Sequence, residues 1–430
     1  MSGSRRHPVW VNKYRELFRK REFALLWGGA TVSALGDGMS FVALVWLIIE
    51  RGGTPADVGL FAAVYTAPVV IGGIAAGIIL DRFDPRRVIA ADNVIRGIAI
   101  ASVPIASVLG VLTTAQLFVV AAVYGLLFMT SVAGIPTLIP TVVDRDDLTT
   151  ANALESISYG IAGLVGPTVA GLVIAVLGAP AVLAIDAVTY GIFVACLLAM
   201  RRPEPAARSA EATPKADDGV PVAAAGGGIG PAVRFILGSP AIVTITVLYM
   251  CLNLGGGISA VLAPIYARDV LEGGPTTYGL LLSALTAGEL VGLLLVGAIN
   301  WRLPLGRSIA GAMVIGGLIA STLLLRPPLG PLLVILVAWG LTESSLTPWA
   351  QTIRMRLIPP EMRGRVFALL RTFMQSTRPI GAILGGLLLA GADITPAVLT
   401  IALLGGVPGV VGLLIPALGR EATADPRPVD

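Results

Sequence analysis

Long apolar runs separated by short polar segments dominate this sequence of 430 residues. A helix that crosses a membrane needs about 20 consecutive apolar residues. Twelve runs reach that length, and segments with charged or turn-forming residues separate them. The predicted spans, numbered 1 to 12 along the chain, are 23–50, 57–80, 88–112, 115–140, 152–178, 180–200, 240–265, 277–299, 308–325, 330–352, 366–390 and 396–418. The pattern therefore predicts an all-α membrane protein with twelve transmembrane helices.

The basic residues predict the orientation of these helices. Twelve spans place both termini on one side, and Lys and Arg accumulate in cytoplasmic loops. Of the 30 Lys and Arg residues, 24 lie on the side that holds the termini, and three lie in loops on the other side. The first run is too long for a signal-peptide core and lacks a cleavage pattern, which indicates a retained helix. We therefore expect a multi-pass protein of a bacterial-type inner (cell) membrane with both termini cytoplasmic.

The longest loop divides the chain into two sets of six helices. Residues 201–239 are rich in Ala, Pro and Gly, which is typical of a flexible linker. At an offset of 215 residues, Gly166 aligns with Gly381 and Gly171 with Gly386, in the fifth helix of each half. Two parallel six-helix repeats are a common architecture of secondary transporters. The predicted regions are a cytoplasmic tail 1–22, a half 23–200, the linker 201–239, a half 240–418 and a cytoplasmic tail 419–430.

Composition narrows the possible functions. With 55% hydrophobic and 13% charged residues, the chain does not match a soluble globular protein. It holds one histidine, His7, and two cysteines, Cys196 and Cys251, which provide no metal cluster and no catalytic triad. No GxxxxGK[ST] loop for ATP is present. We therefore expect no enzyme, metal or cofactor. The expected partners are the lipid bilayer and a small-molecule substrate rather than nucleic acid, and we expect a monomer.

The loop between helices 2 and 3 carries the most specific motif. It reads GIILDRFDPRR over residues 77–87 and resembles the GxxxDRxGRR signature of the major facilitator superfamily, at the place where that family carries it. The resemblance implies a conformational latch formed by Gly77, Asp81, Arg82, Arg86 and Arg87. In the family, the acidic residue lies near the amino end of helix 11 in the outward-facing state, where a carboxylate gains about 0.3–1 kcal/mol. The sequence departs from the signature at Asp84 and Pro85, where Gly and Arg are usual.

A second set of motifs extends the resemblance along the chain. Helix 5 resembles the GPxxGG-bearing helix of drug antiporters through Gly163, Gly166, Pro167 and Gly171, although such spacing also serves generic close packing. Residues 33–38, 151–154 and 359–366 are similar to the enterobactin-exporter and macrolide-efflux branch of the superfamily. The resemblance implies export of small amphipathic or hydrophobic compounds, drug or siderophore-like, by proton antiport with alternating access. Helix 4 lacks the Arg that many proton-driven antiporters carry.

Four ionisable residues near the middle of their spans are the candidate proton or substrate pathway: Asp37, Glu289, Glu343 and Arg378. A charge near the bilayer centre costs about 2.5–3.5 kcal/mol, so each needs a partner or a function. Asp37 lies between two glycines and either carries a proton or substrate or makes a structural hydrogen bond. Arg378 is expected to pair with Glu343 or Glu289, either permanently or as a releasable counter-charge. Glu343 is also a candidate substrate contact.

The remaining charges within the spans are expected to be structural. Asp92 and Arg96 are four residues apart on one helix face and are expected to pair with each other or with the latch loop. Asp186 and Glu155 are expected to reach interfacial water. Two alternative functions stay open: a lysophospholipid or metabolite transporter of the same fold, or a membrane receptor or permease subunit without transport of its own.

Overall fold

The computed structural model describes residues 9–201, 229–299, 301, 303–391 and 393–420, and every regular element in these ranges is a helix. Twelve long helices, α1 to α12, correspond one to one with the predicted spans. They are α1 Arg21–Glu50, α2 Pro55–Thr66 with Pro68–Arg82, α3 Pro85–Val108, α4 Thr114–Val142, α5 Leu148–Leu177, α6 Ala179–Ala199, α7 Pro240–Ile265, α8 Pro275–Ala298, α9 Leu305–Ser321, α10 Leu329–Ser344 with Leu346–Leu357, α11 Arg363–Leu388 and α12 Thr395–Leu414.

Eleven of the described helices are long and apolar enough to cross a membrane. The exception is α11, which has 26 residues but carries four arginines along its length. Its length still matches a bilayer core of about 30 Å, because a helix rises about 1.5 Å per residue. The predicted all-α membrane fold is therefore confirmed.

Prolines and capping residues explain where several helices begin or break. Pro68 interrupts α2 after Ala67, because proline lacks the N–H that would continue the hydrogen-bond ladder. Pro85 is the first residue of α3, and the side chain of Asp84 accepts a 3.0 Å hydrogen bond from the backbone N–H of Arg86. The two departures from the superfamily signature are therefore the residues that start α3.

Parts of the predicted tails and linker lie outside the described residues. These parts include His7, residues 202–228 of the linker and residues 421–430. The described end of the predicted linker is helical over Ile229–Gly238. Its Ala232 and Ile236 pack against Ile358 and Leu370, so this segment is attached to the second half of the protein.

The helices form two six-helix halves, α1–α6 and α7–α12. In the first half, α1 packs on α5 and α6, α3 packs on α4 and α6, and α2 packs on α4. The second half repeats this scheme with α7 on α11 and α12 and with α8 on α10. The two halves meet mainly where α2 contacts α11 and α5 contacts α8. These two contacts form the boundary across which the halves can move.

The hydrophobic clusters show which end of the bundle is closed. Because the helices alternate in direction, α1 begins and α12 ends on one side, here called the terminal face. At the opposite face, a single buried cluster includes Trp46 and Phe61 of the first half and Tyr278 and Ile401 of the second. At the terminal face, each half has separate clusters of its own. The halves are therefore packed together at the opposite face and separated at the terminal face.

Candidate functional site: the central cavity

A cavity of about 1230 Å³ lies between the two halves. Its wall is largely apolar and includes residues of both halves. Asp37 on α1, Glu289 on α8, Glu343 on α10 and Arg378 on α11 all line it. The structure thus brings the four predicted pathway residues, which are spread over more than 300 positions of the sequence, to one cavity.

Two glycines hold Asp37 at the junction of three helices. A Cβ atom on Gly36 would lie 2.0 Å from the Asp186 Oδ1 on α6, and one on Gly38 would lie 2.7 Å from the Ala162 carbonyl oxygen on α5. Both positions therefore need glycine for α1 to approach its neighbours. The Asp37 side chain is 18% exposed and reaches the cavity from this tightly packed segment.

Arg96 of α3 is the direct partner of Asp37. Its Nη1 lies 3.2 Å from both carboxylate oxygens of Asp37, and Tyr190 of α6 donates a hydrogen bond to the same carboxylate. The Nη2 of Arg96 donates to Asp92 at 2.9 Å and to Ser131 at 3.0 Å. The predicted Asp92–Arg96 pair is confirmed, and a second carboxylate shares the same guanidinium.

Aromatic rings enclose this guanidinium and continue to the cavity. Arg96 is 1% exposed, and its Cζ lies 5.5 Å from the ring centre of Tyr124 and 4.8 Å from that of Tyr190. Tyr124 stacks on Tyr65 at 4.6 Å and on Phe128 at 5.9 Å. Phe41 meets Tyr65 edge-on at 5.0 Å. We call the four cavity-lining rings the aromatic wall: Phe41, Tyr65, Tyr124 and Phe128.

The second half contributes a pair of acids through another close helix contact. A Cβ atom on Gly288 would lie 2.0 Å from the Val337 carbonyl oxygen, so α8 and α10 touch backbone to backbone. This contact places Glu289 and Glu343 on adjacent helices of the same cavity wall. Trp339 Nε1 donates a 2.8 Å hydrogen bond to Glu343, one helical turn away. This wall is more acidic than the aromatic wall opposite.

The predicted direct ion pair of Arg378 is not formed in this structure, while its role as a releasable counter-charge stays a prediction. Among the described residues, Arg378 has no carboxylate within ion-pair distance, and the pairs inside the spans near the cavity are those of Arg96. The reason is the position of α11, which packs on α7 rather than on α8 and α10. A Cβ atom on Gly257 of α7 would lie 2.2 Å from the carbonyl oxygen of Arg378. The exposed guanidinium therefore faces the cavity without a carboxylate partner.

Comparison with known proteins identifies the family. The model of the transmembrane secretion effector family, within the major facilitator superfamily, matches residues 16–425. The chain belongs to this family. The protein is accordingly a multi-pass membrane transporter and not an enzyme, with the bilayer and a small-molecule substrate as its partners. The predicted resemblance to the superfamily and to macrolide-efflux proteins is confirmed.

Relatives of this transporter include named efflux proteins. The multidrug efflux pump Tap of Mycolicibacterium fortuitum is 27% identical over 412 residues, which cover 94% of this chain and 97% of that protein. Macrolide efflux protein A of Streptococcus pyogenes is 24% identical over 387 residues, which cover 86% and 89%. A solved bacterial homologue of the iron transporter ferroportin in an inward-facing state has a TM-score of 0.71 at 16% identity, covering 92% of this chain and 98% of that one. The last likeness shows a shared fold.

The glycine motif of α5 forms the contacts of this helix with α1 and α8. A Cβ atom on Gly166 would lie 3.0 Å from the Gly38 carbonyl carbon, and one on Gly163 would lie 3.2 Å from the side chain of Thr286. A Cβ atom on Gly171 would lie 2.5 Å from the Pro275 carbonyl oxygen. Pro167 contributes its carbonyl oxygen to the same contact with α8. The motif therefore lies at the boundary between the halves of the transporter.

The latch loop lies at the terminal face, between α2 and α3. Asp81 and Arg82 are exposed and form no ion pair with any described residue. Arg86 donates a 2.8 Å hydrogen bond to the Leu198 carbonyl oxygen of α6, and Arg87 lies 3.9 Å from Asp84. Gly77, one turn before Asp81, is half-buried. This arrangement agrees with a transporter whose terminal face is open.

The expectation for Asp186 needs correction, and two features of the site were not predicted. Asp186 does not reach interfacial water: it is 0% exposed and accepts hydrogen bonds from Ser40 and, at 2.9 Å, from Thr189. The Asp37–Arg96 contact and the aromatic wall were not predicted from the sequence. At about 1.5 Å per residue from the start of each helix, Arg96 and Asp37 both lie well inside the membrane. This shared depth was the feature of the sequence that could have predicted their contact.

Proposed function

We propose that this transporter exports small amphipathic or hydrophobic compounds, drug or siderophore-like, in exchange for protons. The observation that carries the proposal is an ionisable carboxylate, Asp37, paired with Arg96 at the wall of a large cavity that is accessible from one side. The names of the relatives, a multidrug efflux pump and a macrolide efflux protein, support this substrate class.

The terminal face is proposed to be cytoplasmic. The basic residues are concentrated there, as the positive-inside rule requires of cytoplasmic loops. In the cell membrane both termini are then inside, and the structure represents the inward-facing state. The solved ferroportin homologue of similar fold is also inward-facing, which supports this assignment. The transporter is proposed to work as a monomer, without a bound cofactor and without nucleic acid.

Alternating access would follow from motion at the two contacts between the halves. At the opposite face, a Cβ atom on Gly59 of α2 would lie 3.0 Å from Gly386 Cα of α11. Since these helices run antiparallel, the same register extended to the terminal face sets Asp81 opposite Gly364, at the start of α11. Closure of the terminal face would therefore bring Asp81 to the amino end of α11, where the helix dipole favours a carboxylate. This register supports the latch role of residues 77–87.

Asp37 is proposed as the proton carrier. Its ionised form is stabilised by Arg96 and Tyr190, both of which donate hydrogen bonds to it. Protonation removes the charge attraction to Arg96 and so changes the relative free energy of the two conformations. A proton gradient across the membrane then supplies the energy for export. Glu289, Glu343 and Arg378 are proposed to contact the substrate from the opposite wall.

Transport into inside-out membrane vesicles tests the proposed function. Radiolabelled erythromycin, a macrolide, is the probe, and an imposed pH gradient, acidic inside, is the driving force. Uptake above that of vesicles without the protein, abolished by a protonophore, is expected. Gradient-independent lipid scrambling in proteoliposomes, with no macrolide uptake, would instead indicate the lysophospholipid alternative.

The latch is tested by Asp81→Asn. Loss of about 0.3–1 kcal/mol at the amino end of α11 lowers the outward-facing population about two- to five-fold. Cys251 lines the cavity, so its labelling from outside intact cells reports that population. In a Cys196→Ala background, we expect the labelling rate by a membrane-impermeant maleimide to fall by that factor. Asp146→Asn, an exposed acid on another loop of the same face, should label like the parent, and equal rates in both variants would contradict the latch.

A further inference from the structure

The buried charge network of the first half leaves two polar atoms without partners. They are Oδ1 of Asp92 and Nε of Arg96, within the part of the chain that the structure describes. Both residues are almost completely buried, with exposures of 3% and 1%. A buried donor or acceptor without a partner is destabilising, because it has lost its hydrogen bonds to water without replacing them. Nε of Arg96 is a hydrogen-bond donor, and Oδ1 of Asp92 is an acceptor. The two residues are already joined by the 2.9 Å hydrogen bond from Nη2 of Arg96 to Oδ2 of Asp92.

One rotation of the guanidinium would satisfy both atoms. Arginine binds carboxylates best with two parallel N–H donors, and Nε with Nη2 is such a pair. If Arg96 turned side-on to Asp92, Nε would meet Oδ1 while Nη2 kept Oδ2. Nη1, which now contacts both oxygens of Asp37 and the Tyr190 hydroxyl, would then move away from them. Arg96 thus has two competing positions, one shared between both acids and one on Asp92 alone.

The charge of Asp37 decides between these positions. An ionised Asp37 attracts the guanidinium, and this attraction offsets the free-energy cost of the two atoms without hydrogen bonds. A protonated Asp37 no longer does so, and the side-on pair with Asp92 becomes the better arrangement. Several titratable or charged groups surround Asp37 from the packed helices: Asp92 and Arg96 of α3, Asp186 and Tyr190 of α6, Tyr65 of α2, Tyr124 of α4, and Tyr159 of α5.

The same guanidinium supports the aromatic wall. It lies over the face of Tyr124, 5.5 Å from the ring centre, where the negative face of the ring attracts the cation. Tyr124 is 2% exposed and stacks on Tyr65 and Phe128, which are more exposed and line the cavity. A planar apolar part of a substrate would bind such rings by stacking. Movement of Arg96 from Tyr124 towards Asp92 would therefore change the surface that the substrate meets.

We propose that Arg96 is a two-position positioning residue that couples protonation of Asp37 to substrate binding at the aromatic wall. With Asp37 ionised, Arg96 lies over Tyr124 and the wall binds substrate. With Asp37 protonated, Arg96 turns to Asp92 and the wall releases it. Binding of the proton and binding of the substrate then influence each other, although the two do not bind to the same carboxylate. This inference rests on the proposed exchange of substrate for protons.

Substrate binding at two pH values tests the switch. Purified full-length protein in lipid nanodiscs is titrated with radiolabelled erythromycin at pH 5.5 and pH 7.5. Wild type should bind about 10-fold more tightly at pH 7.5, within the usual range of coupling between sites. Asp37→Asn mimics the protonated acid and should bind weakly at both pH values. Asp92→Asn removes the charged alternative position, so Arg96 stays with Asp37 and binding should be tight at both pH values.

The opposite effects of these two substitutions distinguish the switch from direct competition at Asp37. If Asp92→Asn keeps the wild-type pH dependence, the switch is wrong. If wild type itself binds equally at both pH values, the proton exchange of the proposed function is wrong. Asp146→Asn makes the same change at an exposed acid of the first half that is not a partner of Arg96, and this matched control should behave like wild type.

Arg96→Lys provides a second test should Asp92→Asn not fold. Lysine keeps the charge, but its single ammonium does not form the side-on pair. We expect the affinities at the two pH values to come within about two-fold of each other, and a retained 10-fold difference would overturn the proposal.

Discussion

Asp37→Asn is expected to abolish uptake of erythromycin driven by a pH gradient in inside-out vesicles, with a decrease of at least about 10-fold. Asparagine has nearly the same size as aspartate and, like the protonated acid, carries no charge. It cannot take up and release a proton, so the gradient no longer drives the cycle. Exchange of labelled for unlabelled substrate at saturating concentration should persist, because that process needs no net proton movement.

The two measurements together separate a proton carrier from a structural residue. A structural role for Asp37 predicts less folded protein and a parallel decrease of both gradient-driven uptake and exchange. Glu155→Gln makes the same carboxylate-to-amide change in the same half, at a residue that does not line the main cavity. It should leave both activities unchanged. Full gradient-driven uptake by Asp37→Asn would mean that another acid carries the proton.

Gly279→Ala is expected to have the second large effect. The added Cβ would lie 2.1 Å from the Pro167 carbonyl oxygen and 3.2 Å from the Thr168 Cα, both backbone atoms of α5. These atoms do not move without shifting the helix, so α5 and α8 must separate at a main contact between the halves. Overpacking of this kind costs about 1–3 kcal/mol. We expect a lower melting temperature in detergent and at least about 5-fold slower uptake, since a free energy of about 1 kcal/mol corresponds to a factor of about 5.

Gly191→Ala is the matched control for this substitution. Gly191 is an exposed glycine of α6, and a Cβ there would have no heavy atom within 4 Å. The control should melt and transport like the parent. If Gly279→Ala did the same, the α5–α8 contact would have to tolerate separation, and its role as a boundary for the motion of the halves would be contradicted.

The fold was largely predictable because membrane solvation leaves a strong pattern in the sequence. Backbone hydrogen bonds must be satisfied within each span, so apolar runs of the right length become helices. The breaks of α2 and α10 were not predicted, although Pro68 and Pro348 mark them, because neighbouring helices determine whether a proline bends or interrupts a span. α11 shows the opposite case, in which four arginines, among them the cavity-lining Arg378, lower the apolar signal of a spanning helix.

The mid-span charges of the candidate site could be named from the sequence, but the contacts that they make could not. Mid-span charges are rare enough to single out Asp37, Glu289, Glu343 and Arg378, and all four line the cavity. Which charges meet depends on helix neighbours, and spacing along the chain carries no information about neighbours. Arg378 therefore has no direct carboxylate contact among the described residues, whereas the partner of Asp37 is Arg96, 59 positions further along the chain.

The continuous apolar cluster at the opposite face makes the equilibrium between the closed and open forms of that face sensitive to temperature. Opening that face would expose buried apolar surface from both halves to water, including Trp46 and Tyr278, whose rings stack 6.4 Å apart. Apolar burial weakens on cooling and carries a large heat capacity. Cold therefore reduces the preference of the protein for the conformation seen in this structure, and warming towards room temperature strengthens it. The heat capacity of this apolar contact therefore acts together with the proposed proton gradient on the direction in which the cavity faces.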